Sequence, residues 1–148
     1  MMSPTSPVVP STDGSARVDV TVPLRAEFAS IARLVAASLG ADAGFTVDDI
    51  DDLRLALSEV FSALVEATRT DADPRVTIGF DASGPGLTVT VAAGGEGADG
   101  SPSSADQATL DELASSIIRF SVDEFQFEGG AARLVKYGAE QPADQSDS

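Results

Sequence analysis

The stretch "DDLRLALSEVFSALVEAT", residues 51–68, places one carboxylate where a helix would otherwise be apolar. Leu53, Leu57, Val60, Phe61 and Leu64 recur at the spacing of a helix that faces a core. Glu59 lies on the same stripe. Two polar groups at positions i and i+4 share a helix face and can act together on one ligand. Four residues after Glu59 the chain carries Ala63, so such a pair is incomplete. Glu59 is therefore either half of a catalytic pair or a flank residue that hydrogen-bonds nearby.

Other carboxylates cluster just upstream, in "TVDDIDDL". Asp48, Asp49, Asp51 and Asp52 crowd the start of the same helix, where negative charge meets the positive end of the macrodipole. Thr46 or Asp48 can cap it. These aspartates read as helix starters in preference to a metal site. The chain has no Cys and no His. Thiolate metal sites and disulfides are excluded, and zinc sites and Ser-His catalysis effectively so.

The surrounding elements follow from periodicity. "ARVDVTVPL" alternates Val18, Val20 and Val22 with polar residues, the period of a strand. In "RAEFASIARLVAASLGA", Phe28, Ile31, Leu34, Val35 and Leu39 recur at helical spacing, and Gly40 is a plausible stop. "PRVTIGFDASGPGLTVTVAA" is two strands joined at Gly-Pro-Gly. "ATLDELASSIIRFS" reads as a third helix with Leu110, Leu113, Ile117 and Ile118 inward. "DEFQFEGGAARLVKYG" is a second hairpin turning on Gly129-Gly130. Helices are expected near 25–40, 47–68 and 107–120. The fold class is α+β, a two-layer α/β sandwich with a mixed sheet and helices on one face.

Residues 1–15 and 139–148 read as polar, disordered tails around one domain at 16–138. At 148 residues and 43% apolar composition the chain can bury one core. The net charge of −15 cannot neutralise nucleic-acid phosphates, and it favours a basic protein partner instead. A solubility role for that charge is the plainer alternative. No membrane span and no secretory signal are read, so the expected address is cytoplasmic.

"VPLRAEFASIARLVAASLG", "FTVDDIDDLRLALSEVFSALVEA" and "RVTIGFDASGPGLTVTVA" together resemble the RsbW-type anti-sigma factor serine kinases. These belong to the GHKL, or histidine kinase-like ATPase, superfamily, whose Bergerat-type fold is the sandwich expected above. The resemblance runs from about Arg17 to Tyr137 and is most specific in "DDIDDLRLALSE".

The resemblance implies three nucleotide boxes, and this sequence departs from each. In the family the second helix carries Glu-x-x-x-Asn, with Asn on Mg²⁺ and Glu activating the acceptor hydroxyl. Glu59 matches the Glu, as a vestigial general base, but Ala63 stands at the Asn position. A methyl group cannot ligate a hard cation, and Ser62 is turned about 100° away around the helix. The second box, Asp-x-Gly-x-Gly, has Ala93 in place of its adenine-reading Asp and keeps Gly95. In the third, a Gly-rich turn that cradles phosphates, Asp111 and Glu112 replace the glycines. Arg119 is the nearest cation by sequence. Residues 94–106 are expected to form a mobile loop instead of an ordered ATP lid.

The implied function is that of a regulatory protein binding a sigma factor, and a STAS-type antagonist, without the family's Mg-ATP and without kinase activity. Arg33, in "SIARLV", matches a family arginine implicated in holding the sigma factor. A homodimer is implied by resemblance. The alternatives are an active ATP-dependent serine kinase, or a non-catalytic dimerisation or sensing module on the same scaffold.

Overall fold

The computed structural model describes residues 17–95 and 102–138. Both expected tails and residues 96–101 lie outside the described residues. The elements are β1 (Arg17–Pro23), α1 (Ala29–Asp42), α2 (Val47–Ala67), β2 (Arg75–Asp81), β3 (Gly86–Gly94), α3 (Glu112–Ser121), β4 (Glu124–Glu128) and β5 (Ala131–Tyr137). Short 3-10 turns at Ala26–Phe28 and Ser104–Gln107 precede α1 and α3.

Helix α2 starts in a capping box. The Asp49 N–H donates to Thr46 Oγ1 at 3.1 Å, and the Thr46 N–H donates to Asp49 Oδ2 at 3.0 Å. Two orphan amides are thereby satisfied, and Asp49 is buried in doing so. Asp51 pairs with Arg54, and Asp52 with Lys136 of β5. Leu53, Ala56, Leu57, Val60, Phe61 and Leu64 are all buried, each larger side chain contributing about 1.5–3 kcal/mol. The buried Thr68 hydroxyl closes the C-terminus by donating to the Leu64 carbonyl at 2.8 Å.

Against α2, α1 lays a stripe of small residues: Ala29, Ala32, Ala36 and Gly40. This corrects the expected apolar face. Phe28, Val35 and Leu39 do pack on the core, but Ile31 is exposed and Leu34 is 70% exposed. The reason is close approach: a Cβ on Gly40 would sit 3.2 Å from both Ile50 and Phe45, a gap that a large side chain cannot enter.

The sheet order is β1-β2-β3-β5-β4, antiparallel at every junction. The sandwich is α+β as expected, but its sheet is antiparallel and not mixed. Between β1 and β2 the chain passes through α1 and α2, and β2 returns antiparallel to β1. Val22, Val76, Ile78, Phe80, Leu87, Val89, Val91, Ala132 and Leu134 form the buried, helix-facing rows. The other face is polar, with Thr21 and Thr77 hydroxyls 2.8 Å apart. The β4–β5 turn falls at Gly129 and Gly130, both at positive φ (60° and 83°), a region that Gly adopts without steric cost.

Helix α3 begins five residues later than expected, at Glu112. Ile118 is fully buried and Leu110 packs on the core from outside the helix, but Ile117 is only half-buried. Leu113 is 70% exposed and is not a core residue. Leu64→Ala is expected to cost about 2–5 kcal/mol, while Leu113→Ala stays within about 0.5 kcal/mol of the parent. Urea unfolding of the two variants checks this, and comparable losses would contradict the assignment.

Candidate functional site

The C-terminal half of α2 and the segment leading into α3 enclose a cleft of about 340 Å³. Glu59, Ser62, Ala63 and Glu66 form one wall, and Gln107 to Asp111 with Ala114 form the other. The volume is at the small end for a ligand pocket. Glu59, Ala63 and Asp111 are thus brought together from positions some 50 residues apart. Ser62 also reaches the rim, although it lies on an adjacent helix face.

Asp111 has a definite structural task. Its Oδ1 accepts the Ala114 N–H at 2.7 Å, which makes it the N-cap of α3. A helix N-terminus attracts anions through its free amides and the macrodipole. Here a carboxylate of the protein already holds one of those amides. Glu112, exposed in the first turn, adds a second negative charge at the same end.

The electrostatics of the cleft are one-sided. Glu59, Glu66 and Asp111 line it, and no Lys or Arg is among the lining residues. Glu66 is paired outward with Arg69 at 3.0 Å. Mg-ATP does not fit this lining. Ala63 offers no ligand oxygen to Mg²⁺, and the three carboxylates oppose a triphosphate.

Ala93, Gly95, Glu112, Arg33 and Arg119 lie outside the cleft lining. Ala93, at the end of β3, is half-buried, and its N–H donates to the Gly130 carbonyl at 3.0 Å. Gly95 has φ +108°, and a Cβ there would lie 2.6 Å from the Asp73 carbonyl oxygen. Backbone packing therefore requires glycine at this position. Glu112 faces solvent. Arg33, half-buried on α1, donates from Nη1 to Ser58 Oγ on α2 at 3.3 Å.

One feature of this end of the molecule was not read from the sequence. Asp71, in the turn after α2, clasps the segment before α3. Ser103 Oγ donates to Asp71 Oδ2 at 2.8 Å, and the Ser104 N–H donates to the same oxygen at 3.0 Å. Ala105 is buried behind this clasp, 3.1 Å from the position a Cβ on Gly130 would take. Of the expected mobile loop at 94–106, residues 94, 95 and 102–106 are described: Gly94 ends β3, and residues 103–105 are held by the clasp. The signal is weak in sequence, because an Asp and a Ser pair 32 residues apart have no periodicity to connect them.

Desolvation pushes the Asp71 carboxyl up, but hydrogen bonds from Ser103 and Ser104 outweigh it and hold the group below its ordinary value of 3.8. A depressed carboxylate stabilises the fold at pH above its unfolded value, and that contribution is lost as pH falls through the folded value. The Ser104 amide shift, followed by NMR in an acid titration, is expected to inflect below 3.8. An inflection above that value would contradict the clasp.

Residues 22–133 match the family described as Histidine kinase-like ATPase domain. The chain is similar to the serine-protein kinase RsbW of Bacillus cereus (strain ATCC 10987 / NRS 248), 30% identical over 79 residues, which is 53% of this chain and 49% of that protein. It is similar also to the serine-protein kinase RsbW of Bacillus subtilis (strain 168), 32% identical over 83 residues, 55% of this chain and 52% of that protein. The chain spans about half the length of the curated relatives it matches.

Proposed function

The chain belongs to the histidine kinase-like ATPase domain family, and from that premise we propose that it is an anti-sigma regulatory protein that works by protein–protein contact and not by ATP chemistry. Its partner is a sigma factor, with a STAS-type protein as the antagonist that releases it and a homodimer as its assembly. The similarity to serine-protein kinases RsbW supports the regulatory class.

The observation that carries the non-catalytic reading is the Asp111 carboxylate, 2.7 Å from an α3 amide. It occupies the end of the helix where a phosphate would be received. Ala63 across the cleft supplies no metal ligand, and Ala93 supplies no carboxylate to an adenine. The missing adenine hydrogen bond alone forfeits about 1.5–3 kcal/mol, or about one to two decades of affinity. These losses share one site and need not add, but they have the same sign.

A kinase reading keeps one observation in its favour: Glu59 is still half-buried on the cleft wall, where an acceptor hydroxyl would be activated. Isothermal titration with Mg-ATP separates the two. No binding tighter than about 100 μM is expected, a threshold near 5.5 kcal/mol. Tighter binding would restore the kinase reading.

The sigma-factor contact is assigned to the α1–α2 surface around Arg33. Its bond to Ser58 orders the guanidinium on that surface. The guanidinium has five donors, enough to pair bidentately with a partner carboxylate as well. Pull-down from a lysate of the native host is expected to capture a sigma factor. With that sigma factor, Arg33→Ala should weaken binding about tenfold or more, as loss of a charged hydrogen bond does, with the melting temperature shifted only slightly. Unchanged affinity would remove Arg33 from the interface.

A further inference from the structure

A second concavity, larger than the cleft beside Glu59, lies on the other flank of α3. A groove of about 920 Å³ runs between α3 and the end of the sheet formed by β3, β5 and β4. Its floor includes Val91, Ala132, Phe125 and Phe127, and its wall includes Leu110 and Arg119. Val91 and Ala132 belong to the buried core at the base of the groove. Phe125 and Phe127 are only half-buried, so their rings present apolar surface to the space.

Arg119 gives the groove a polarity. Its guanidinium stands 5.7 Å over the Phe125 ring. The chain carries 24 carboxylate side chains against nine basic ones. Arg17, Arg25, Arg54, Arg69, Arg133 and Lys136 are each paired with a carboxylate. Among the described residues no ion pair joins Arg119 to any carboxylate. In so acidic a protein, a cation left open at an apolar groove is suited to an anion from outside. Glu128 also lines the groove, three residues along β4 from Phe125, or roughly 10 Å at strand rise. Arg133 also lines the groove but is paired with Glu124, so an anionic head is favoured at the Arg119 end and disfavoured beside Glu128.

We propose that this groove is a binding site for a small apolar carboxylate, such as a medium-chain fatty acid or an aromatic acid. Its apolar body lies on Phe125 and Phe127, and its carboxylate pairs with Arg119. The volume lies within the range of small-molecule sites, and a guanidinium can meet a carboxylate at two points. This site shares the Ala108–Leu110 segment with the cleft, and all its other lining residues differ from those of the cleft.

The test uses the full chain, with decanoate as ligand and 1-anilinonaphthalene-8-sulfonate as fluorescent reporter. Decanoate is expected to displace the reporter at a single site, and decyltrimethylammonium, with the same chain and opposite charge, is not. Arg119→Ala should weaken decanoate about tenfold, or about 1.4 kcal/mol. Arg75→Ala, which removes an exposed cation outside the groove, should leave it unchanged. Amide shifts on adding decanoate should map to Leu110, Arg119, Phe125, Phe127 and Ala132. Equal displacement by the cationic amphiphile, equal effects of the two arginine variants, or shifts confined to the Glu59 cleft would each overturn the proposal.

Discussion

The buried face of α2 is the constraint on which the rest of the structure depends. Six of its side chains, from Leu53 to Leu64, are withdrawn from water, and the other two helices pack against its sides. Once that face is committed to the core, Glu59 and Ala63 are fixed on the flank that borders the α3 approach. The geometry of the cleft follows from helix phase, not from any interaction that Glu59 makes. The small-residue stripe of α1 follows from the same commitment, since α1 can approach α2 closely only through Ala and Gly.

Aspartates do much of the local organisation. Asp49 caps α2, Asp111 caps α3, and Asp71 clasps the segment before α3. Asp123 accepts the Tyr137 amide at 2.7 Å. Each places a carboxylate against backbone N–H groups that would otherwise lack a partner near an element end. Much of the acidic character of the sequence therefore has a role in local structure. The single lysine, Lys136, is nearly buried and tied to Asp52 across the sheet–helix interface.

These uses bear on function through the helix N-terminus. In a nucleotide-binding scaffold, the amides at the start of a helix are kept for a phosphate. In this chain the start of α3 is capped internally and the loop before it is clasped. A carboxylate already placed at this end disfavours a second anion there, which is the basis of the proposed loss of nucleotide chemistry. A protein of this family with such a site can still present its α1–α2 surface, and its net charge of −15 suits a basic partner.

Hydrophobic and polar periodicity determined the element count, the boundaries of α2 within a residue or two, both hairpins and the α+β class. These are local properties, set by where apolar residues recur and where a cap or Gly-Gly turn interrupts them. The tertiary structure decided which apolar residues are core. Leu34 and Leu113 fit a helical stripe yet face solvent, because Ala and Gly fill the α1–α2 contact and α3 starts later than its apolar pattern suggests. Antiparallel pairing throughout was also a tertiary outcome, because which strands become neighbours depends on how the chain folds back through the helices. The meeting of Glu59, Ala63 and Asp111, the Asp71 clasp and the groove beneath Arg119 each join segments tens of residues apart. No one-dimensional period encodes such a junction, so it could be read only once the chain had closed on itself.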